Sequence, residues 1–301
     1  MCGIVGLLVK RNELECELGR LVTPMLQCMG TRGADSTGLA FFYSPLDSAH
    51  RRFGLYAEDP QFDWEAWHDS FRRESGQDSR IRVVGNHAGV ISTLPAVQLK
   101  SWLRRLPGDV RLLSVGRAID VYKDVGPPDE IAKRYRFAEF AGTHAIGHTR
   151  MATESAVSLS RAHPITAGED FCLVHNGSLS NPYSSRRKLE LKGVRFETDN
   201  DTEAGCRFLE WRMREGDTLE AAIEKSFREL DGFFTFLMAT AERMVLVRDA
   251  FACKPAVVAE TDDYVAVGSE FRALAHLPHV QEAQVFEPAP ETIYSWTVSR
   301  N

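Results

Sequence analysis

The residue best suited to chemistry is Cys2, the second residue of the chain. Methionine aminopeptidases remove an initial methionine when a small residue follows, which would expose the α-amine of Cys2 beside its thiol. An α-amine titrates near about pH 7.7–8.0, which suits a base that activates a thiol nucleophile. Gly3 leaves room for close approach by a substrate. The alternatives are an ordinary cysteine near a chain end, or a lipidated one.

Four other short segments could complete a site around such a nucleophile. They are residues 32–36 (RGADS), 148–153 (HTRMAT), 175–177 (HNG) and 200–203 (NDTE). Attack on an amide needs an oxyanion hole, and the Asn176 side-chain amide with the Gly177 N–H could form one. Asn-Gly is also the strongest dipeptide signal for a hairpin turn, and a plain turn is favoured when the pair is considered alone.

Two charged residues could bind the ends of an amino-acid substrate. Arg150 can hold an α-carboxylate through two parallel hydrogen bonds, and Asp201 can accept from an α-ammonium. The alternatives are a surface arginine and an aspartate that caps a helix, since a helix is predicted just after Asp201. Both roles of Asp201 could coexist.

The elements that must position these residues are short strands and helices in irregular alternation. Thr23-Pro24 predicts a helix N-cap with proline in the first turn, and Gly30 predicts the helix end. Another helix is predicted over 219–230. The predicted strands are 4–9, 38–43, 145–148, 171–174, 233–239, 244–248, 256–259 and 264–268. Antiparallel strands without regular βαβ units indicate an α+β fold with packed sheets and covering helices.

Residues from about 44 to 141 differ in sequence pattern from the rest of the chain. A helix is predicted near 63–73, and strands over 81–84 and 111–115. We interpret 44–141 as a long insertion carried by a single domain that spans 2–301.

Composition narrows the class of protein. The 301 residues are 44% hydrophobic and carry a net charge of −6. Lysine and arginine are scattered, so neither a nucleic-acid groove nor a basic membrane-binding face is expected. No apolar run approaches the ~20 residues of a membrane span, and signal-peptide features are lacking, so a cytoplasmic protein is expected. No C-x-x-C spacing, G-x-G-x-x-G or Walker sequence occurs, so this chain should hold no metal, cluster or nucleotide cofactor.

The five segments, in this order, resemble the class II glutamine amidotransferases of the N-terminal nucleophile hydrolase superfamily. The resemblance runs from Cys2 to about Arg272 and is interrupted by the insertion. Residues 142–155 (GTHAIGHTRMATES) and 172–181 (CLVHNGSLSN) are most similar to the stand-alone GlxB-type subunit of N-methylglutamate synthase and glutamate-synthase-like enzymes.

The resemblance implies a four-layer αββα fold and a role for each segment. Cys2 would attack the side-chain amide of glutamine, with Asn176 and Gly177 as the oxyanion hole. Arg32 would brace the loop around the nucleophile. The remaining residues would surround the substrate: Arg150 and Thr153 at the glutamine carboxylate, Asp201 at its ammonium, and His163 and His175 beside the pocket.

The resemblance also implies a partner. The ammonia would pass to a separate synthase subunit that carries FMN and an iron–sulfur cluster. One alternative is a free-standing N-terminal nucleophile amidohydrolase acting on another amide, although Arg150 and Asp201 match the two ends of glutamine. The other is a non-catalytic interaction subunit that has kept the fold, although it would not need Cys2 and the oxyanion hole.

Overall fold

The structure is a computed structural model that describes residues 1–105, 110–152 and 157–298. Within these ranges the strands are β1 (Gly3–Val9), β2 (Ser36–Phe42), β3 (Arg51–Ala57), β4 (Ser79–Val84), β5 (His87–Ser92), β6 (Val110–Gly116), β7 (Ile119–Val125), β8 (His144–Arg150), β9 (Ile165–Thr166), β10 (Phe171–Leu179), β11 (Gly232–Thr240), β12 (Arg243–Arg248), β13 (Val257–Glu260), β14 (Tyr264–Gly268), β15 (Gln284–Phe286) and β16 (Tyr294–Thr297). The α-helices there are α1 (Leu18–Cys28), α2 (Trp64–Ser75), α3 (Ala96–Leu103), α4 (Pro128–Arg134), α5 (Pro182–Glu190), α6 (Asp201–Arg214) and α7 (Leu219–Glu229).

Two sheets pack face to face in the centre of the molecule. The larger has the strand order β15-β13-β14-β1-β8-β2-β7, and the smaller has the order β16-β12-β11-β10-β9. Alternate residues of each strand enter the core between the sheets, including Ile4 and Leu8 from β1 and Val174 from β10. The intervening residues face outward, because side chains alternate across a strand.

Helices cover the outer faces of both sheets. Helix α1 buries Val22 and Leu26 against Leu7 of the larger sheet. Helices α6 and α7 bury Leu209 and Ile223 against the smaller sheet. The layers are therefore helix, sheet, sheet, helix, which confirms the predicted α+β architecture with four αββα layers.

The predicted start of the first helix is wrong. Helix α1 begins at Leu18, and Pro24 lies inside it. A proline inside a helix costs about 3 kcal/mol. The buried face formed by Leu18, Val22 and Met25 continues across Pro24, and burial of that face outweighs the cost.

Most of the predicted insertion forms a third sheet. Its strand order is β4-β5-β3-β6, and it packs on α2 and α3 around Trp67, Phe71 and Trp102. The helix predicted near 63–73 and the strands predicted over 81–84 and 111–115 correspond to α2, β4 and β6. Strand β7 also falls within 44–141, yet it pairs with β2 at the edge of the larger sheet. The division into one domain with an insertion remains a prediction.

Buried polar groups join the third sheet to β7. The Arg52 guanidinium of β3 donates to Asp120 of β7 at 3.0 Å, and burial raises the pKa of Asp120 to about 6. Nearby, the Tyr135 hydroxyl donates to Asn86 Oδ1 at 2.7 Å and also contacts Asp124. Buried polar groups need such partners, so this seam fixes how the third sheet sits.

Among the described residues, no helix has the length and apolar character needed to cross a membrane. Within the same ranges, no three or more His, Cys, Asp and Glu side chains are grouped so that they could hold a metal ion.

His144 should make stability depend on pH. It is fully buried in β8, its Nε2 lies 2.9 Å from Thr240 O, and burial lowers its pKa to about 3. Because the unfolded state takes up the proton near pH 6.5, the free energy of unfolding should fall as pH drops below that value. His144→Gln, which keeps an N–H donor, should reduce the loss between pH 7 and 5 by about 2 kcal/mol. Urea unfolding at several pH values measures this difference.

The matched control is His279→Gln, since His279 is exposed and should leave the pH dependence unchanged. An unaltered pH dependence in His144→Gln would contradict the assignment of a neutral, buried imidazole.

Candidate active site

Cys2 lies at the start of β1, in the middle of the larger sheet. Gly3 pairs with Thr149 of β8, and a Cβ on Gly3 would lie only 2.6 Å from the Cβ of Met29. Glycine is therefore required there. The Cys2 Sγ lies 3.9 Å from the backbone oxygen of Met151 and is partly exposed.

Two side chains converge on the carbonyl oxygen of Cys2. Arg32 Nε donates to it at 2.9 Å, and Asn176 Nδ2 donates at 3.2 Å. Arg32 follows α1, whereas Asn176 belongs to β10 in the opposite sheet. The alternation along β10 that sends Val174 into the core between the sheets also turns Asn176 toward Cys2. The candidate site thus joins both sheets.

Gly177 continues β10 beside Asn176, so the Asn-Gly pair forms no hairpin turn. Gly177 has φ +147°, and a Cβ would lie 2.0 Å from Phe233 O. Two residues earlier, the His175 N–H points away from β11 and donates to His163 Nδ1 at 3.3 Å. Because N–H directions alternate along a strand, the Gly177 N–H leaves the same side of β10. It is thus directed away from the β10–β11 ladder.

Asp201 lies beside His175 at the start of α6. Its Oδ2 accepts from Leu179 N at 3.0 Å and lies 3.9 Å from His175 Nδ1. Its Oδ1 accepts from Thr202 N at 2.8 Å. The N-cap of α6 is Asn200, so Asp201 is the first helical residue. A carboxylate oxygen can accept more than one hydrogen bond, so Asp201 keeps capacity for a substrate cation.

Three buried histidines, His148, His163 and His175, cluster next to Asn176. His148 Nε2 lies 3.0 Å from His175 O, and the His148 and His163 rings are 4.2 Å apart. Burial lowers the pKa of all three, that of His148 to about 3. Asp201 partly offsets this effect on the pKa of His175. Neutral imidazoles therefore support the strand from behind and add no positive charge.

Arg150 ends β8 opposite Ser36 of β2 and is only 8% exposed, so it is no surface arginine. The loop that follows β8 is held by Asp35. Asp35 N donates to Arg150 O at 3.0 Å, and Asp35 Oδ2 accepts from Ala152 N at 2.7 Å. Thr153, the other residue expected at the substrate carboxylate, lies outside the described residues.

Two relatives align with this chain over nearly its whole length. A glutamine amidotransferase domain family model matches residues 148–276. The glutamine amidotransferase-like protein GlxB of Rhizobium meliloti is 43% identical over 98% of this chain and 98% of its own. The chain belongs to the class II glutamine amidotransferases.

A further relative and one solved structure are also similar to this chain. A protein of Methanothermobacter thermautotrophicus that is named as a glutamine amidotransferase is 33% identical to this chain. The match covers 98% of this chain and 99% of the relative. The solved glutamine phosphoribosylpyrophosphate amidotransferase of B. subtilis matches with a TM-score of 0.62 and 19% identity. That match covers all of this chain and 50% of the other, and it concerns the fold alone.

Glu270 belongs to the candidate site but was not predicted from the sequence. Glu270 follows β14 and accepts from Arg32 Nη1 at 2.5 Å, and it also accepts from Arg272 Nε at 2.6 Å. The hydrogen bond from Arg32 is the main reason why the pKa of Glu270 is lowered. Glu270 is 238 residues from Arg32, and no local pattern marks it. The pairing arises because β14 lies next to β1 in the sheet.

Arg32→Lys should weaken the support of Cys2. A lysine keeps the charge but lacks the planar fork that reaches Cys2 O and Glu270 together. We expect a loss of about 2 kcal/mol in unfolding free energy and slower alkylation of Cys2 by iodoacetamide. Denaturant unfolding and peptide mass spectrometry measure the two effects.

Arg272→Lys is the matched control, because Arg272 also binds Glu270 but is exposed and contacts Thr31 instead of Cys2. Equal effects of the two substitutions would refute a specific role of Arg32.

Proposed function

We propose that Cys2, once Met1 has been removed, hydrolyses the side-chain amide of glutamine through a thioester. The convergence of Arg32 and Asn176 on the Cys2 carbonyl carries this proposal. That arrangement fixes the backbone of the residue that would supply both thiol and α-amine. It also puts a side-chain amide donor next to the nucleophile.

The first half-reaction forms the thioester. The α-amine of Cys2 takes the thiol proton, and Sγ attacks Cδ of glutamine. Asn176 Nδ2 and the Gly177 N–H stabilise the resulting oxyanion, since the two residues are neighbours on β10. The C–N bond then breaks, and the α-ammonium returns the proton to the leaving nitrogen, which departs as ammonia.

The second half-reaction releases glutamate. Water gives a proton to the α-amine and adds to the thioester carbon, and the same donors stabilise the second oxyanion. The C–S bond breaks, the thiol is restored, and glutamate leaves. The net reaction consumes glutamine and water and yields glutamate and ammonia.

The two ends of glutamine would be held by opposite charges. Arg150, together with Thr153, would bind the α-carboxylate, and Asp201 the α-ammonium. The buried His163 and His175 would position Asn176 and Asp201 through the contacts described above. Both carboxylate oxygens of Asp201 accept hydrogen bonds from backbone N–H groups, so the carboxylate is oriented before substrate arrives.

We further propose that the ammonia passes to a separate synthase subunit in a hetero-oligomeric complex. The sequence resemblance to GlxB-type subunits of N-methylglutamate synthase and glutamate-synthase-like enzymes supports this. So does the matching length of the GlxB relative, which leaves no region for a synthase in that protein. By this resemblance the partner would hold FMN and an iron–sulfur cluster, and this chain would hold neither.

A glutamine-like diazoketone should label the nucleophile. Intact-mass analysis of protein lacking Met1 should show one adduct, because the reagent is held as glutamine is and alkylates an activated thiol. Cys2→Ala should abolish the adduct. Cys253→Ala should leave it unchanged, since Cys253 is exposed and far from Cys2 in sequence.

Processed protein that remains unlabelled, even with its native partners, would refute the enzymatic mechanism and favour a non-catalytic interaction subunit. Labelling that excess glutamine does not slow would favour an amidohydrolase with another substrate.

The partner proposal predicts the fate of the amide nitrogen. In the complex isolated from the native host, glutamine labelled with heavy nitrogen in its amide should yield a labelled amine or amino-acid product. Mass spectrometry of the products measures the transfer, and Cys2→Ala should block it. A complete transfer reaction by this chain alone would contradict a separate synthase subunit.

A further inference from the structure

A cavity of about 410 Å³ lies between the third sheet and the smaller sheet with its helix α6. Strand β6 and helix α3 line one side, and α6 and the segment before it line the other. This volume is in the range of small-metabolite sites. The cavity is distinct from the Cys2 site, whose described residues do not line it.

Lys123 of β7 extends its ammonium into the wall of this cavity. It is 6% exposed, and its Nζ donates to Ala162 O at 2.7 Å and to Pro164 O at 3.0 Å. An ammonium has three donors, so one is left for a further acceptor. Burial lowers the pKa of Lys123 to about 8, and the negative charges of Glu197 and Glu203 partly offset this effect.

The acidic residues of the wall are already occupied. Glu203 accepts from Thr198 N at 2.7 Å and from Arg207 Nε at 2.8 Å. Arg207 also pairs with Glu197 at 3.5 Å. The two carboxylates of the wall, Glu197 and Glu203, are therefore balanced by Arg207 and Lys123, and any excess positive charge comes from the rim.

Three more cationic side chains lie at the rim of the cavity. Lys100, Arg104 and Arg111 are exposed residues of the third sheet and its helix that line the same cavity. Arg111 lies 3.6 Å from Glu58, a solvent-exposed pair that is weak. A cationic rim around a buried ammonium favours an anionic ligand.

The cavity is connected to the candidate active site by three short contacts. The carbonyls that bind Lys123 belong to the residues on either side of His163. His163 Nδ1 in turn accepts from His175 N at 3.3 Å, and His175 precedes Asn176. A ligand that binds Lys123 would thus change the contacts of the segment around His163. That segment supports β10 next to the proposed oxyanion donors.

We propose that this cavity is an effector site for a small anion with carboxylate or phosphate groups, whose binding alters the reactivity of Cys2. The anion pairs with Lys123, and the rim cations attract it. The coupling runs through His163 and His175. This coupling rests on the proposed function, whereas binding itself does not.

Calorimetry of the whole protein with citrate and with inorganic phosphate, at ionic strength fixed by chloride, tests the binding. We expect saturable binding of at least one anion. Tighter binding of citrate would indicate carboxylate recognition, and tighter binding of phosphate would indicate phosphate recognition. Arg104→Glu should weaken it by about tenfold, because a repelling charge replaces an attracting one. Lys123→Gln should abolish it. The matched control, Lys192→Glu, reverses an exposed charge in a groove near α5 and should bind as the wild type does.

The rate of Cys2 labelling by the diazoketone, with and without the bound anion, tests the coupling. We expect the anion to change this rate in the wild type and in Lys192→Glu, but not in Lys123→Gln. If Lys123→Gln does not fold, Arg104→Glu tests the coupling instead. In that variant, the anion concentration needed to change the labelling rate must shift by the same factor as the affinity of the protein for the anion.

Absence of saturable binding, or equal binding by Arg104→Glu and the wild type, would overturn the effector site. Binding without any change in labelling would overturn the coupling. If Cys2 is never labelled, the proposed mechanism fails, while calorimetry still decides whether the anion site exists.

Discussion

The backbone carbonyl of Cys2 is the point on which the arrangement of the site depends. One of its hydrogen bonds comes from Arg32, beside its own sheet, and the other from Asn176, across the sandwich. Both can form only if the two sheets pack at the correct separation and rotation. The apolar core between them, with residues such as Ile4 and Val174, is therefore a condition for the chemistry as well as for stability.

The packing that brings these donors together also removes water from their supports. The histidines behind Asn176 remain uncharged because they are buried, and their ring nitrogens serve as neutral hydrogen-bonding groups. Rigid neutral supports suit an oxyanion hole, whose donors must be oriented before negative charge develops. Charged groups are instead placed at the margins, where Arg32 meets Glu270 and where Asp201 begins a helix.

Sequence patterns predicted the parts of the fold that depend on local information. Apolar runs located β1 and β10, and helical spacing located α7, because burial of one face imposes a period on the residues. The start of α1 was predicted wrongly, since a proline signal competed with a longer apolar face. For the site, the order of short segments identified Cys2, Asn176 and Asp201 as candidates, and the structure brings Asn176 to Cys2 and Asp201 to His175. Glu270 and Lys123 could not be recognised, because their partners are distant in sequence and meet them only through strand order and buried carbonyls.

The position of β7 bears on how this protein could have grown or could be shortened. The strand lies late in the long segment that separates β2 from β8, yet it completes the larger sheet beside β2. Excision of the whole segment would strip β2 of a neighbour and leave a bare sheet edge, which invites intermolecular pairing. A viable minimal version would have to retain β7 and its seam residue Asp120 while finding a new partner for that carboxylate. Strand β7 thus belongs to the larger sheet, and removal of the third sheet alone would take away Arg52 and leave the buried Asp120 without its cation.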